Sequence, residues 1–351
     1  MSEARDRATL AAFAAALEGR RVAIVYSHRF GVPLDENWYH RWQTRVIAMF
    51  SQAVEHCGAI PVFFDVDQWL AFCGSPHGHI DFMINLNAGN RSLDQWALVP
   101  ALSVWRGVPS FPCSAFTAAL GEAKDIATII ARDSGWRTPR SQADGLTDAC
   151  EVIRKPRTFG SSVGLTRLTL SEAREAADDD YVVEEFVRGY DATIVTLYSA
   201  TSRHLECRGV QVMVPSLDDP EDWVYDSFEK RNPGVRTQVG VLNCPAEPEL
   251  AAHAVALTRR FGGRFVSRID VRLKTRPSAG RAIPFSDCVF LEINPMPTIG
   301  PANSVTEFAA RYVEEHCSAP ELAWIDALTA NRIERAAIYL LACGLHVVSS
   351  K

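Results

Sequence analysis

Two short runs near the C-terminus constrain this chain more than any other feature. Side chains alternate between faces along a strand. In 264–273, Arg264, Val266, Arg268, Asp270 and Arg272 therefore share one face, while Phe265, Ile269, Val271 and Leu273 share the other. The second set reads as core, and the first sets an arginine beside an acid. The run 288–293 alternates likewise and puts Phe290, Glu292 and Asn294 on one face. The intervening 274–285 is short enough for the two runs to pair as a hairpin. Asp270, Glu292 and Asn294 would then converge as three oxygen donors of the hard kind that suits magnesium beside phosphates. A charged residue on its own is more often a solvated surface group. Three at these spacings, on otherwise apolar strands, favour the site reading.

The rest of the chain supplies a frame for that hairpin. In the first third, apolar runs at 22–26, 60–66 and 80–86 alternate with helical spacing at 38–56 and 94–105. This alternation predicts a parallel, doubly wound sheet. A further helix is expected over 121–134. From Cys150 onward, strands at 151–154, 181–186, 193–198, 204–214 and 238–242, interrupted by a helix near 171–177, predict an α+β lid with an antiparallel sheet. The stretch 215–234 lacks periodicity, and a loop of that length is usually functional or mobile. A helix at 248–261, the two alternating strands, and helices from Ser304 and Asn331 complete the reading. The expected domains are 1–115, 116–200 and 201–351.

Composition narrows the function classes. The 351 residues are 47% hydrophobic and 22% charged, a globular balance that predicts several packed subdomains. The net charge of −6 offers no footprint for nucleic acid. The nine cysteines have no two closer than sixteen residues, so no zinc-ribbon spacing exists and buried free thiols are expected. The apolar start near 8–17 fits a surface helix better than a signal peptide. The run 335–348 is too short and interrupted to span a bilayer. A soluble, cytoplasmic protein without a membrane partner is expected. His77 and His79 form a tempting pair with no third ligand in sequence, and Trp38, Tyr39, Trp42 and Phe50 have the spacing of core packing, with the first two also candidate pocket walls.

Upstream of the hairpin lies Lys155-Pro-Arg-Thr-Phe-Gly-Ser-Ser-Val-Gly164, directly after a strand. Three readings compete. Gly160 to Gly164 matches G-x-S-x-G, the nucleophile elbow of a hydrolase using Ser162, yet the residues that follow alternate as a strand where the elbow needs a helix. A plain hairpin turn would also use Gly and Ser. A small-residue loop covering phosphates, with Lys155 reaching them as a point charge, uses every feature of the segment. Tyr181-Val-Val-Glu-Glu-Phe-Val-Arg-Gly-Tyr-Asp191 adds two acids after an apolar strand, which fits a hinge against an adenine and a ribose.

In this order and spacing, the three clusters resemble the ATP-grasp superfamily, most nearly the D-alanine–D-alanine ligases. The matching stretches are Val152-Ile-Arg-Lys-Pro with Gly-Ser-Ser-Val-Gly164, Val182-Val-Glu-Glu-Phe-Val with Asp191, Ser267-Arg-Ile-Asp-Val271 and Phe290-Leu-Glu-Ile-Asn-Pro295, with Asn85-Leu-Asn-Ala-Gly89 and Lys124 also fitting. The resemblance implies an ATP-grasp fold: an N-terminal parallel α/β domain, an α+β lid and a C-terminal α+β domain. It further implies that Lys124, Lys155, Gly160, Ser161, Ser162 and Lys230 bind ATP phosphates. Glu184, Glu185, Phe186 and Val187 would form the adenine hinge. Asp191 would hold the ribose, where the family usually has glutamate. Asp270, Glu292 and Asn294 would hold two Mg²⁺, with Mn²⁺ as a substitute, while Arg268, Ser161 and Lys230 would serve catalysis. The implied reaction is ATP-dependent joining of a small-molecule carboxylate to an amine through an acyl phosphate. A homodimer is expected on the same ground.

The departures concern substrate. The first loop, Ser27-His-Arg-Phe-Gly-Val-Pro-Leu-Asp-Glu36, is bulkier than the family's glycine-rich loop. The turn after Asn294 becomes Pro295-Met-Pro-Thr-Ile-Gly-Pro301, placing the substrate-carboxylate serine near Asn303 or Ser304. These changes predict an amino acid or natural-product intermediate rather than two D-alanines. A genuine D-alanine–D-alanine ligase, a cyclase and a catalytically dead nucleotide-binding scaffold are the alternatives.

Overall fold

The computed structural model describes residues 9–27, 44–87, 95–141, 144–158, 160–176, 178–297, 299–300 and 303–349. The parallel sheet expected in the first third is present. Its strands are β1 (Arg21–Tyr26), β2 (Ile60–Phe64), β3 (Phe82–Leu86) and β4 (Ser110–Phe111), in the order β2-β1-β3-β4. β1 and β3 are buried along nearly their whole length because both of their faces are covered. Around them lie α1 (Thr9–Ala15), α2 (Thr44–His56), α3 (Val66–Gly74) and α4 (Gln95–Arg106). Helix α3 was not expected from the sequence, and the strand expected over 60–66 ends at Phe64. Asp65 stops that strand by capping the helix reciprocally with Gln68, at 2.7 and 3.0 Å.

The expected helix over 121–134 is present from residue 124, and a separate, unexpected helix precedes it. α5 (Ala115–Glu122) and α6 (Lys124–Asp133) break at Ala123, whose backbone is extended (φ −76°, ψ 94°). Gly121 packs so tightly on Pro295 that a Cβ there would lie 2.4 Å from the proline ring. The break makes Lys124 the first residue of α6 and aims this end at the centre of the molecule.

The single antiparallel lid expected from residue 150 is also divided. β5 (Glu151–Pro156), β6 (Thr166–Thr169) and β7 (Tyr181–Glu185) form one sheet, ordered β6-β5-β7, with α7 (Leu170–Glu175) packed on it. β8 (Tyr190–Tyr198), β9 (Leu205–Pro215) and β10 (Val239–Cys244) instead join β11 (Val266–Leu273) and β12 (Cys288–Asn294), ordered β10-β9-β8-β11-β12. The boundary expected at 200 therefore falls between two paired strands of one sheet. β8 holds this sheet together: it pairs with β9 on one edge and β11 on the other, and its Ile194 and Val195 are buried in separate cores on its two faces. Within the long loop sits a short helix, α8 (Ser227–Arg231), capped by Asp226.

α9 (Pro248–Arg260), α10 (Ser304–His316), α11 (Ala319–Leu328) and α12 (Arg332–Ser349) complete the chain. α11 was missed in the sequence, although Ser318 and Glu321 form a capping box at its start. α12 is buried throughout Ala336–Cys343 and joins the core of α1, α2 and α10, so its apolar run belongs to the interior. No helix among the described residues is long and apolar enough to cross a membrane. All nine cysteines are free thiols.

Candidate active site

The site begins with the β11–β12 hairpin. Its register pairs Asp270 with Glu292 and Arg268 with Asn294, bringing the expected donors onto one surface. The register slips after Asp270, so that Val271 faces Phe290 and Leu291 is left over. That bulge overturns one expectation. Phe290 belongs to the core with Ile269, Val271 and Ile293, while Leu291 takes the open face beside Glu292. Strict alternation cannot reveal a bulge.

Charge on this surface is densely arranged. Arg268 donates to both oxygens of Asp270, at 3.0 and 2.8 Å, and Thr193 adds a third donor at 2.9 Å. Asn294 Nδ2 reaches Asp270 at 3.2 Å and Glu292 at 3.3 Å. Burial, opposed by Arg268 and helped by the charge of Glu292, pushes the Asp270 carboxyl up. Burial would raise Glu292 too, but Lys124, Arg268, Lys155 and Lys230 together hold it at about 2. Four cations thus converge on one carboxylate.

Three of the four are lysines from three separate elements. Lys124 starts α6, and its backbone N–H donates to the Arg157 carbonyl at 3.0 Å, tying that helix to the end of β5. Burial lowers the Lys124 ammonium against the opposing pull of Glu292. Lys155 on β5 and Glu184 on β7 are 7% and 6% exposed and pair at 2.5 Å. Glu184, expected at an adenine edge, thus spends its side chain on the phosphate lysine. Lys230 on α8 donates to Ser162 Oγ at 2.6 Å, and Ser162 donates to the Tyr225 carbonyl at 3.0 Å. Those two bonds clasp the 160–164 loop to the long loop. Burial lowers the Lys230 ammonium as well.

Within the 160–164 loop, Ser161 and Ser162 have φ of 59° and 57°, and Gly164 has 71°. Left-handed backbone at successive non-glycine residues is costly and clusters at functional loops. Strand β6 follows the loop, so Ser162 does not stand on a strand-to-helix elbow. Phe159 lies outside the described residues.

On the hinge, Glu185 takes the Arg140 fork at 2.7 and 3.0 Å. Phe186 lies under the Arg167 guanidinium at 3.9 Å. The Val187 carbonyl accepts from Arg272 Nε at 3.0 Å, and the same arginine pairs with Asp191 at 3.0 Å. Arg272 was placed on the correct face without a role. It is 4% exposed and fixes both the hinge carbonyl and the expected ribose acid. The Tyr225 N–H also donates to Asp191, at 3.2 Å.

All seventeen expected site residues line one cleft of about 560 Å³, Asn303 and Ser304 included. Asn303 caps α10 by accepting from the Val305 N–H at 3.0 Å. Sequence reasoning missed the cleft residues Arg45, Trp96, Met213, Leu291 and Met296. Leu291 and Met296 lay within stretches already singled out, Leu291 in the second strand of the hairpin and Met296 in the turn after it. His79 is exposed and pairs with Asp81, and among the described residues no cluster of three His, Cys, Asp or Glu side chains could hold a metal. The donor set at the hairpin has two acids and an amide. Trp38, Tyr39, Trp42 and residues 28–36 of the first loop, with Ala88, Gly89, Thr298 and Pro301, lie outside the described residues.

A cleft lined from two sheets, with lysines from β5, α6 and α8 over a carboxylate hairpin, agrees with the ATP-grasp resemblance of the sequence. No family model and no curated protein matches the chain in sequence. Solved structures do match it in shape. D-alanine–D-alanine ligase from Bacillus anthracis complexed with ATP superposes with a TM-score of 0.59 at 13% identity, covering 95% of this chain and 99% of that one. D-alanyl-alanine synthetase A from Vibrio cholerae gives 0.61 at 12% identity, covering 95% and 99%. VanG D-Ala:D-Ser ligase from Enterococcus faecalis gives 0.55 at 14% identity, covering 93% and 100%. The chain has the ATP-grasp fold of the D-alanine–D-alanine ligases along nearly its whole length.

Proposed function

We propose that the protein is an ATP-dependent carboxylate–amine ligase that forms an amide bond through an acyl phosphate. The observation that carries this reading is the convergence of Lys124, Lys155, Lys230 and Arg268 on Glu292, because so much positive charge in one cleft calls for a polyanion. A triphosphate satisfies it. The apolar and backbone groups of 186–187, with Leu291 and Met213, suit the flat face of a base, and Asp191 suits a ribose hydroxyl. The solved structure with ATP at a similar fold supports the same choice of nucleotide.

The donor set at the hairpin fits Mg²⁺. Asp270 and Glu292 repel one another in a partly buried site, and the Asn294 amide adds a third hard donor. Bound there, Mg²⁺ would neutralise phosphate charge. In the first step a substrate carboxylate oxygen attacks the γ-phosphorus and ADP leaves. Lys124 and Lys155 hold the leaving phosphates, and Lys230 follows the transferred group. In the second step the amine nitrogen attacks the acyl carbon, the C–O bond to phosphate breaks, and the nitrogen sheds a proton. Arg268 faces the oxyanion that develops between these events. The Ser162–Lys230 clasp closes two loops over the cleft and keeps water from the acyl phosphate. Substrates other than two D-alanines are the preferred reading, from the altered turn after Asn294.

Phosphate release from Mg-ATP across single and paired carboxylates and amines, with mass analysis of products, tests the proposal. Release that needs both partners, with a product equal to their sum less water, is expected. Binding of Mg-ATP without turnover on any pair would favour a nucleotide-binding scaffold, and failure to bind it would refute the reading.

A further inference from the structure

The cleft has a second wall, away from the nucleotide side. Arg45 and Val46 at the start of α2, Trp96 on α4 and Met296 after β12 line it. Three contacts make it continuous. Met296 packs in one cluster with Trp96, and its sulfur accepts from Asn85 Nδ2 at 3.1 Å. Gly300 lies against α2, where an added Cβ would sit 3.3 Å from Val46. Met296 follows Asn294 by two residues, and Asn294 is the register partner of Arg268. The wall therefore starts within about 7 Å, along the chain, of the groups that would handle the acyl carbon.

Its chemistry is one-sided. On the nucleotide side Lys155, Arg268 and Arg272 are each paired with a carboxylate, Glu184, Asp270 and Asp191. Arg45 makes no hydrogen bond or ion pair among the described residues, and no described residue of this wall carries a carboxylate. Val46, Trp96 and Met296, which line the same cleft, offer hydrocarbon. A guanidinium fork matches a carboxylate in two parallel hydrogen bonds. An ammonium group placed here would meet a cation with no described acid to balance it.

We propose that Arg45 is a specificity residue that binds a non-reacting carboxylate on a substrate whose hydrocarbon part lies on Trp96 and Met296. The acyl donor is then a dicarboxylic acid, with one carboxylate phosphorylated beside Arg268 and the other held by Arg45. A small zwitterion such as alanine lacks the second anion. This inference rests on the ligase reading of the same cleft.

Two readouts separate the inference from that reading. Calorimetry measures binding of a series of dicarboxylates of increasing length, and of their monoamides, to protein holding Mg²⁺ and a non-hydrolysable ATP analogue. ADP formation is followed in parallel, with hydroxylamine as a general amine. The matching diacid is expected to bind about tenfold or more tightly than its monoamide. Arg45→Gln abolishes that ratio, Arg45→Lys keeps part of it, and in turnover KM rises while kcat stays within a few-fold. A wild-type ratio near one, a ratio that Arg45→Gln leaves in place, or a series that does not bind would overturn the inference. Absence of ADP formation with every acid, while the analogue binds, would overturn the ligase reading, and the calorimetric ratio would still decide Arg45.

Discussion

Replacing Lys155 by Met separates what that residue does for the fold from what it does for a nucleotide. The methionine keeps the apolar stem and removes the charge, leaving the Glu184 carboxylate buried without its 2.5 Å partner. Removing one member of a buried pair costs about 3–5 kcal/mol. Globular proteins unfold with an entropy of about 2.1 cal/mol/K per residue, roughly 0.7 kcal/mol/K for this chain, so thermal unfolding should fall by about 4–7 °C. The double variant Lys155→Met, Glu184→Gln removes the stranded charge and should recover most of that loss. Mg-ATP binding should not recover, because the phosphate contact is absent from both variants. Differential scanning fluorimetry and calorimetric titration of wild type, both singles and the double complete the cycle. A double variant no more stable than Lys155→Met would refute the buried-pair argument. A double variant that binds Mg-ATP like wild type would remove Lys155 from the nucleotide site.

Other perturbations test neighbouring parts of the account. Ser162→Ala removes the atom that receives Lys230 and holds the Tyr225 carbonyl; proteolytic cutting within 215–234 should quicken, and added Mg-ATP should protect less than in wild type. Lys230→Met should lower the rate of ADP formation by about 10²–10³-fold with smaller change in nucleotide affinity, if the lysine acts mainly on the transferring phosphoryl. The Glu307 carboxyl is held below its usual 4.5 chiefly by hydrogen bonds from Arg332 and Arg311. A depressed acid stabilises the fold above its unfolded pKa, and that stabilisation is lost as pH falls below about 4.5. Glu307→Gln should therefore lower stability at neutral pH by about 0.5–1 kcal/mol and flatten the acid limb of the unfolding curve. Gly189→Ala would set a Cβ 2.2 Å from the Leu273 carbonyl oxygen at a φ of +147°, and should reduce soluble yield sharply.

Much of the fold could be read from local signals. Alternation placed Arg268, Asp270, Glu292 and Asn294 on one surface because strand geometry is nearly independent of context away from a bulge. The parallel sheet followed from strand–helix alternation. What failed depended on tertiary partners. Beside the break at Ala123, Gly121 packs on Pro295, more than 170 residues away, and the partition of the antiparallel strands follows from β8 pairing with both β9 and β11. Leu291 reached the cleft through a bulge that no periodicity announces. Capping boxes at Asp65–Gln68 and Ser318–Glu321 were present in the sequence and would have found α3 and α11. On the site, residues within contiguous motifs were legible. Arg45 and Trp96 were not, since a lone arginine or tryptophan on a helix has no spacing to mark it.

In the proposed ligase reaction a carboxylate oxygen becomes bonded to the γ-phosphorus of ATP before the amine attacks. A carboxylate substrate labelled with ¹⁸O, turned over with Mg-ATP and an amine, tests it directly by mass analysis of the released phosphate. ADP and inorganic phosphate carrying one labelled oxygen are expected in every turnover that yields amide. Amide formed with unlabelled phosphate, or label appearing in AMP, would contradict it.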